Sequence, residues 1–389
     1  MRRSEPIIIG GGGIAGLAAA ISLARAGYAS RVLEQAASFE EVGAGLQLGP
    51  NAMRAVDALG LADLMAPKLV APRAIEIRDG LSGRLLTKVP LGETITERFG
   101  APYRVAHRAD LLAALLQAAR NEVLITLQPG RTITGVTQDE SGIRLALADG
   151  SALSAPALIG ADGVHSAVRA ALAGDGPPAY ANQTLYRALI ARNKAPAPAA
   201  DDLVSLWLCP GGHVVHYPVS GGAKVNIVAA FDSHWHEPGW GSHGSKRALQ
   251  TAFGLVCSEL AAVLDATDRW LKWAAVDRRP AQQWGRGPVT LIGDAAHPVL
   301  PYLAQGAAMA LEDAVVLGRK LDQGNELAAA FRAFEAERQP RTAMMQRQCR
   351  RVGRAYHARG PLRLARNVVL KLMSLERSYG QMAWIYNWR

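Results

Sequence analysis

Cysteine is scarce. Cys209, Cys257 and Cys349 stand far apart in a chain of 389 residues, with no C-x-x-C pair and no metal-ligand spacing. That excludes a disulfide framework and a thiolate zinc centre, and leaves isolated thiols suited to a reducing compartment. Long apolar runs are missing as well. Hydrophobic residues make up 49% of the chain, yet no uninterrupted stretch reaches the ~18 residues that a membrane span needs. Arg2 and Arg3 precede an apolar stretch as they would in a secretory signal, but four glycines interrupt it, so it reads as a first strand and the expected setting is cytoplasmic. Histidines are scattered; His234-x-His236 with His243 has no cysteine beside it, so no metal is expected. Acids are missing from the C-terminal end. From Arg338 to Arg389 twelve Lys/Arg face a single acid, Glu376, so this segment carries +11 against +10 for the whole chain. No aromatic-and-basic module accompanies it, so nucleic acid is not an expected partner and membrane association is not expected either. The charge reads as solvated faces of C-terminal helices. No internal repeat occurs.

What is present begins at Ile7. Three β-branched residues make a short buried strand, and Gly11, Gly13 and Gly16 follow in G-x-G-x-x-G spacing at the mouth of an apolar helix through Ile14 and Ala15. The first glycine permits a tight turn, the second lets a pyrophosphate approach the backbone, and the third lets the helix lie close on the sheet. Glu34 ends a second strand, at about the ~20-residue distance expected of a ribose ligand, with Gln35 next to it.

Glycines 43, 45 and 49 then suggest backbone passing close to something flat, before a helix over 52–59. Alternating residues at 75–78 and 85–89 predict a β-hairpin inserted into the nucleotide domain. Arg108 opens a leucine-striped helix, where the dipole disfavours a cation unless an anion such as pyrophosphate lies nearby. Strands are expected at 123–127, 132–138 and 143–147. Gly160-Ala161-Asp162-Gly163 then ends a buried strand, bringing a carboxylate to the edge where ligands of open α/β sheets bind.

Residues 185–231 change character, to short alternating strands joined by Pro/Gly turns, which predicts an antiparallel sheet followed by a helix over 246–264. The chain returns to the first domain at Val289-Thr290-Leu291-Ile292, then Gly293-Asp294-Ala295-Ala296-His297-Pro298, and a helix opening at Gly306 and Ala307. The expected class is α/β: a Rossmann-like parallel sheet with the inserted hairpin, an α+β substrate domain with an antiparallel sheet, and C-terminal helices. The expected boundaries are 1–175, 176–278 and 279–389.

Three motifs in this order, the glycine turn, Gly-Ala-Asp162-Gly163 and Gly293-Asp294-Ala-Ala-His-Pro, make the chain resemble the single-component (class A) FAD-dependent aromatic monooxygenases. His297-Pro-x-x-Pro-Tyr-x-Ala-Gln-Gly-Ala-Ala-Met-Ala-x-Glu-Asp and His213-Val-Val-His216-Tyr217-Pro218 are similar to the salicylate hydroxylase branch, which includes relatives acting on 3-hydroxybenzoate and hydroxynicotinate. The resemblance implies FAD as cofactor and NADH or NADPH as co-substrate. It implies transfer of one atom of O2, through a flavin C4a-hydroperoxide, to a hydroxylated aromatic acid. By position, Glu34 would bind the adenosine ribose, Arg108 the pyrophosphate or ribityl chain, Asp162 both FAD and reduced nicotinamide, and Asp294 the ribityl hydroxyls. Gly306 and Ala307 would face the flavin pyrimidine, and Gly45 would lie along the cofactor. Many members have Gly-Gln-Gly where Ala304-Gln305-Gly306 stands.

The resemblance also sets the second domain's sheet across the substrate chamber from the flavin. Residues 213, 215 and 217 share a strand face and His216 points the other way, so His213 or Tyr217 is expected to activate a substrate phenol. An imidazole near pKa ~6.5 suits that task. The remaining expected partners are a small aromatic acid, O2 and NAD(P)H, with the chain a monomer or homodimer. Flavin epoxidation on the same scaffold and a non-enzymatic flavin redox sensor are the competing readings.

Overall fold

In the computed structural model the described residues are 5–39, 44–139, 142–235, 241–324 and 326–389. Gly43 and His236, singled out above, lie outside them. A five-stranded sheet, entirely parallel, has the order Val289–Leu291, Leu158–Gly160, Ile7–Gly10, Ser30–Glu34, Ile125–Pro129. Ile7, Ile8 and Ile9 are buried on both faces, as parallel strands covered by helices must be. The helices Ile14–Arg25 and Gly306–Asp322 pack together over this sheet.

The second sheet has eight strands and is antiparallel apart from one pairing. Its centre is Ala179–Ala191, Lys224–Asp232, Gly212–Val219 and Leu203–Cys209 in spatial order. Alternation divides its side chains between two cores. Tyr186, Trp207, Val214 and Ile227 pack under the helices Lys246–Phe253 and Ser258–Asp265. Leu185, Tyr217 and Ala230 face Tyr302, Met309 and the C-terminal helices.

Several expectations are corrected. The hairpin forms as Ala74–Asp79 and Leu85–Pro90, but Ala74–Asp79 pairs parallel with Leu203–Cys209, so it extends the eight-stranded sheet and not the nucleotide-side sheet. The single helix expected over 246–264 is two helices, because Gly254 takes φ +59° and ends the first. The strand expected from Val123 starts at Ile125, and Val123 is 98% exposed in the turn before it. The basic C-terminal segment is only partly a solvated face. Arg338 is 1% exposed, and Arg341, Arg350 and Arg363 pair with Glu312, Asp277 and Asp79.

Candidate active site

The glycine turn, Asp162 and Asp294 come from distant parts of the sequence, and the strand order brings them together. They follow the carboxyl ends of adjacent parallel strands, with Glu34 at the end of the next. Gly11, at φ +106°, lies so close to Ala161 that a side chain would collide with that residue's carbonyl. Gly293, at φ +58°, lies against the first helix, where a Cβ would come within 2.7 Å of the Ala15 Cβ. Gly16 packs on the Gly11 carbonyl.

Gly13 differs from these glycines. Among the described residues a Cβ there would meet nothing within 4 Å, and its φ of −76° is ordinary, so none of those residues requires glycine. It is the N-cap of the helix Ile14–Arg25, which has no side-chain cap and no acid in its first turn. The helix therefore offers backbone N–H donors and the positive end of its dipole to an anion. Glu34 accepts from Gly12 N–H at 2.7 Å and Ala36 N–H at 2.9 Å, fixing the turn, and its carboxylate has lone pairs left for ribose hydroxyls. Gln35 beside it is exposed. These residues fit the dinucleotide end of FAD.

Asp162 and Asp294 are used differently. Asp162 accepts from the Ser166 hydroxyl and from the backbone N–H groups of Ala167 at 2.8 Å and Val168 at 3.2 Å. It therefore holds the start of the helix Ala167–Ala173, and burial, only partly offset by these bonds, raises its pKa. Asp294 is exposed in a stretch from Leu291 to Pro298 that is otherwise buried. It lies in a 3-10 turn and does not cap the helix Gly306–Asp322, whose N-cap is Gln305. Arg169, fully buried, ties the two turns together by donating to the carbonyls of Ala295 at 3.0 Å and Ala296 at 2.9 Å.

Gly306 and Ala307 begin a 17-residue helix with no side-chain cap and no acid in its first turn. Ala304, just before it, has φ +51°. A non-glycine residue costs roughly 1–2 kcal/mol in this conformation, so Ala304 is strained. Gly45 begins a strand paired with Arg104–His107, and Ala44 O accepts from the N–H of Arg108 at 2.8 Å, so positions 45 and 108 are adjacent. Asn226 of the large sheet accepts from Gly45 N–H at 2.7 Å, while its buried Nδ2 has no hydrogen-bond partner among the described residues.

The strand Gly212–Val219 connects these parts. His213 and Tyr217 share one face, as expected, and His216 lies on the other, accepting from Trp207 Nε1 at 2.9 Å. The ring of Tyr217 sits against Gly45. His213 packs 5.4 Å from Tyr302, in the turn that leads into Gln305 and Gly306. Cross-strand register puts Arg187, through Val228, level with Val215, between His213 and Tyr217 on the same face. Its guanidinium lies 4.9 Å from the Trp273 ring. Burial lowers the His213 pKa well below the usual imidazole value, and burial raises that of Tyr217. The ordinary imidazole pKa expected for His213 is thereby corrected. It is a neutral base that holds a proton poorly.

Sequence reasoning missed the network beneath the site. Arg338 donates to Asp313 and Glu312, both at 2.7 Å, and Arg341 donates to Glu312 at 2.7 Å. Asn51 donates to Gln305 at 2.9 Å and to Glu312 at 2.7 Å. Adjacent acids in an apolar helix were the available signal, because a buried carboxylate requires a partner.

A parallel α/β sheet with turns suited to a dinucleotide at its carboxyl edge, faced by a sheet bearing a histidine and a tyrosine, fits a flavoprotein oxidoreductase. The family model of the FAD binding domain matches residues 4–348. The 3-hydroxybenzoate 6-hydroxylase of Polaromonas naphthalenivorans (strain CJ2) is 40% identical over 98% of this chain and 96% of its own. The 3-amino-4-hydroxybenzoate 2-monooxygenase of Streptomyces cremeus is 39% identical over 91% of this chain and 88% of its own. Among solved structures, Klebsiella pneumoniae HpxO complexed with FAD and uric acid has a TM-score of 0.87 at 27% identity, covering 99% of this chain and 98% of that one. The chain belongs to the family of FAD-dependent aromatic hydroxylases.

Proposed function

We propose that the protein uses NADH or NADPH and O2 to hydroxylate a small benzoate that already carries a phenolic hydroxyl, of the 3-hydroxybenzoate type, with salicylate as the alternative position of that hydroxyl. The observation that carries this reading is the single strand face on which His213 meets the turn before Gly306 and Tyr217 meets Gly45. FAD, when bound, supplies the activation of O2. The protein's part is to bind, orient and deprotonate the ring. His213, neutral because it is buried, takes the phenolic proton, and Tyr217 orients the ring by a hydrogen bond. Arg187, on the same face, supplies a cation for the carboxylate. Gly11, Gly13, Gly16, Glu34, Gly45, Arg108 and Asp294 would hold the cofactor. Residues 1–175 and 279–389 form the cofactor-holding part and 176–278 the substrate-holding part, to which the hairpin at 74–90 adds two strands.

Relatives named for hydroxylated and aminohydroxylated benzoates support the substrate class, and their names leave its substitution pattern open. The test is NAD(P)H oxidation by the holoenzyme across a panel of hydroxybenzoates, with product identification to separate hydroxylation from peroxide release. Stimulation with stoichiometric hydroxylated product is expected for at least one acid with a free phenol. Stimulation by none of them, with FAD bound, would overturn the substrate class.

A further inference from the structure

His213 does not end at its own ring. Its Nδ1 lies 3.0 Å from Nε2 of His357, the residue that ends the long helix Leu327–Tyr356, and Nδ1 of His357 lies 2.6 Å from Asp232 Oδ1. His213 and His357 are 4% and 7% exposed, whereas the Asp232 side chain is 39% exposed. Three titratable groups therefore form a continuous line from the chamber face of the large sheet to solvent. We propose that His213, His357 and Asp232 are a proton exit, through which the proton taken from the substrate phenol reaches the surface. The proposal rests on the reading of His213 as the base and adds two residues that do not touch the substrate.

Hydrogen-bond chemistry fixes the direction. A carboxylate only accepts, so Asp232 holds the proton of His357 on Nδ1 and leaves Nε2 of that ring with a lone pair. That lone pair accepts Nδ1–H of His213, which leaves Nε2 of His213 as the basic nitrogen. When the phenol O–H bond breaks, its proton joins His213 Nε2, the Nδ1 proton passes to His357 Nε2, and the His357 Nδ1 proton passes to Asp232, which releases it to water. The balance is one phenolate made and one proton delivered to solvent, with no electron transferred.

The other groups around this line are suited to leave it alone. Tyr302 and Tyr356 lie 5.4 Å from His213, and burial holds both phenols above their ordinary pKa. Cys349 near them is raised to about 12, also by burial. Gln183 lies 3.5 Å from His357 and does not titrate. Arg359 donates to Asp232 at 3.2 Å and, with His357, keeps that carboxyl below its ordinary pKa in spite of burial. Asp232 is therefore a good proton donor to water.

His357→Gln, Asp232→Asn and His213→Ala holoenzymes, assayed with 3-hydroxybenzoate, test this. Asp232→Asn keeps an oxygen that accepts from His357 but removes the proton acceptor, and its exposed position keeps it foldable where His357→Gln is not. FAD content and substrate Kd should match the parent for both relay variants. Hydroxylation at neutral pH should fall about 10- to 100-fold, less than the roughly 100- to 10,000-fold that a general base itself contributes, and should recover as pH rises towards the free phenol's pKa. Asp232→Glu should restore most of the rate. Parental rate and pH profile in Asp232→Asn, with His213→Ala impaired, would overturn the relay and leave the base in place. If His213→Ala also matched the parent, the base assignment itself would fall and the relay with it.

Discussion

Arg338 and Asp313 meet at 2.7 Å with essentially no solvent access to either side chain, and the other Asp313 oxygen accepts the backbone N–H of Gly293 at 2.9 Å. One carboxylate thus connects the long C-terminal helix to the turn that carries Asp294. Removing the cation would leave buried Asp313 without its guanidinium partner and Glu312 with Arg341 alone; breaking a buried ion pair typically costs about 3–5 kcal/mol. Arg338→Met should lower the melting temperature and weaken FAD together. An unchanged melting temperature would mean that the pair is not holding the turn.

Acid should destabilise the protein in two phases, both of the same sign. His213 and His216 have folded pKa values below the ordinary imidazole value, the latter lowered to about 4, chiefly by burial. Below pH ~6.5 the unfolded chain takes up protons that the folded chain refuses, so stability falls as pH falls from there. Burial raises the Asp313 carboxyl, but His297 and Arg338 outweigh it and the net shift is downward. Its contribution is therefore complete above the unfolded value of 3.8 and is lost as pH drops through the lower folded value. Melting temperatures from pH 8 to 3 should decline first through the imidazole range and then steeply. His216→Gln should flatten only the first phase.

Much of this was legible because local chemistry and tertiary role coincide. Glycine spacing after a β-branched run gives the turn at 11–16, and period-two alternation puts His213 and Tyr217 on one face opposite His216. What was not legible depends on pairings that spacing does not encode. The hairpin at 74–90 reads as a hairpin, but only its parallel partner at 203–209 decides which sheet it extends. Arg338 looks like one more charge in a basic segment, since its burial is set by acids 25 and 26 positions away. Asp162 matched a ligand motif, and nothing in the sequence said that its oxygens also cap the following helix.

Gly13→Val separates cofactor binding from folding. No atom of the described residues lies within 4 Å of the added Cβ, and the φ of −76° suits valine, so the apoprotein should fold with a melting temperature close to the parent apoprotein. The branched side chain would enter the pyrophosphate path. The purified variant should be colourless; a yellow protein of parental FAD affinity would put the cradle elsewhere.

Asp294 is exposed among buried neighbours, so its removal should spare the fold. A hydrogen bond to a charged acceptor is worth roughly 1.5–3 kcal/mol, or about 10- to 150-fold in affinity. Asp294→Ala should weaken FAD by that factor in a flavin titration while the apoprotein melts as before. A lower apoprotein melting temperature with unchanged FAD affinity would assign Asp294 a structural role only.

Arg187 makes the most specific claim about the substrate. Its backbone stands level with Val215, between His213 and Tyr217, and its guanidinium rests near the Trp273 ring, which limits the entropy lost when it meets an anion. If it pairs with the substrate carboxylate, the charge-assisted bond should be worth about 1.5–3 kcal/mol. Arg187→Met, which keeps the length and apolar stem, should then raise the Kd for 3-hydroxybenzoate by about 10- to 150-fold. It should leave FAD content and the Kd for 3-hydroxybenzamide nearly unchanged, because the amide has no charge to lose. The acid-over-amide preference of the parent should therefore disappear in the variant. If Arg187→Met weakens acid and amide equally, the residue shapes the chamber without reading the carboxylate, and the cation for the substrate must come from another element.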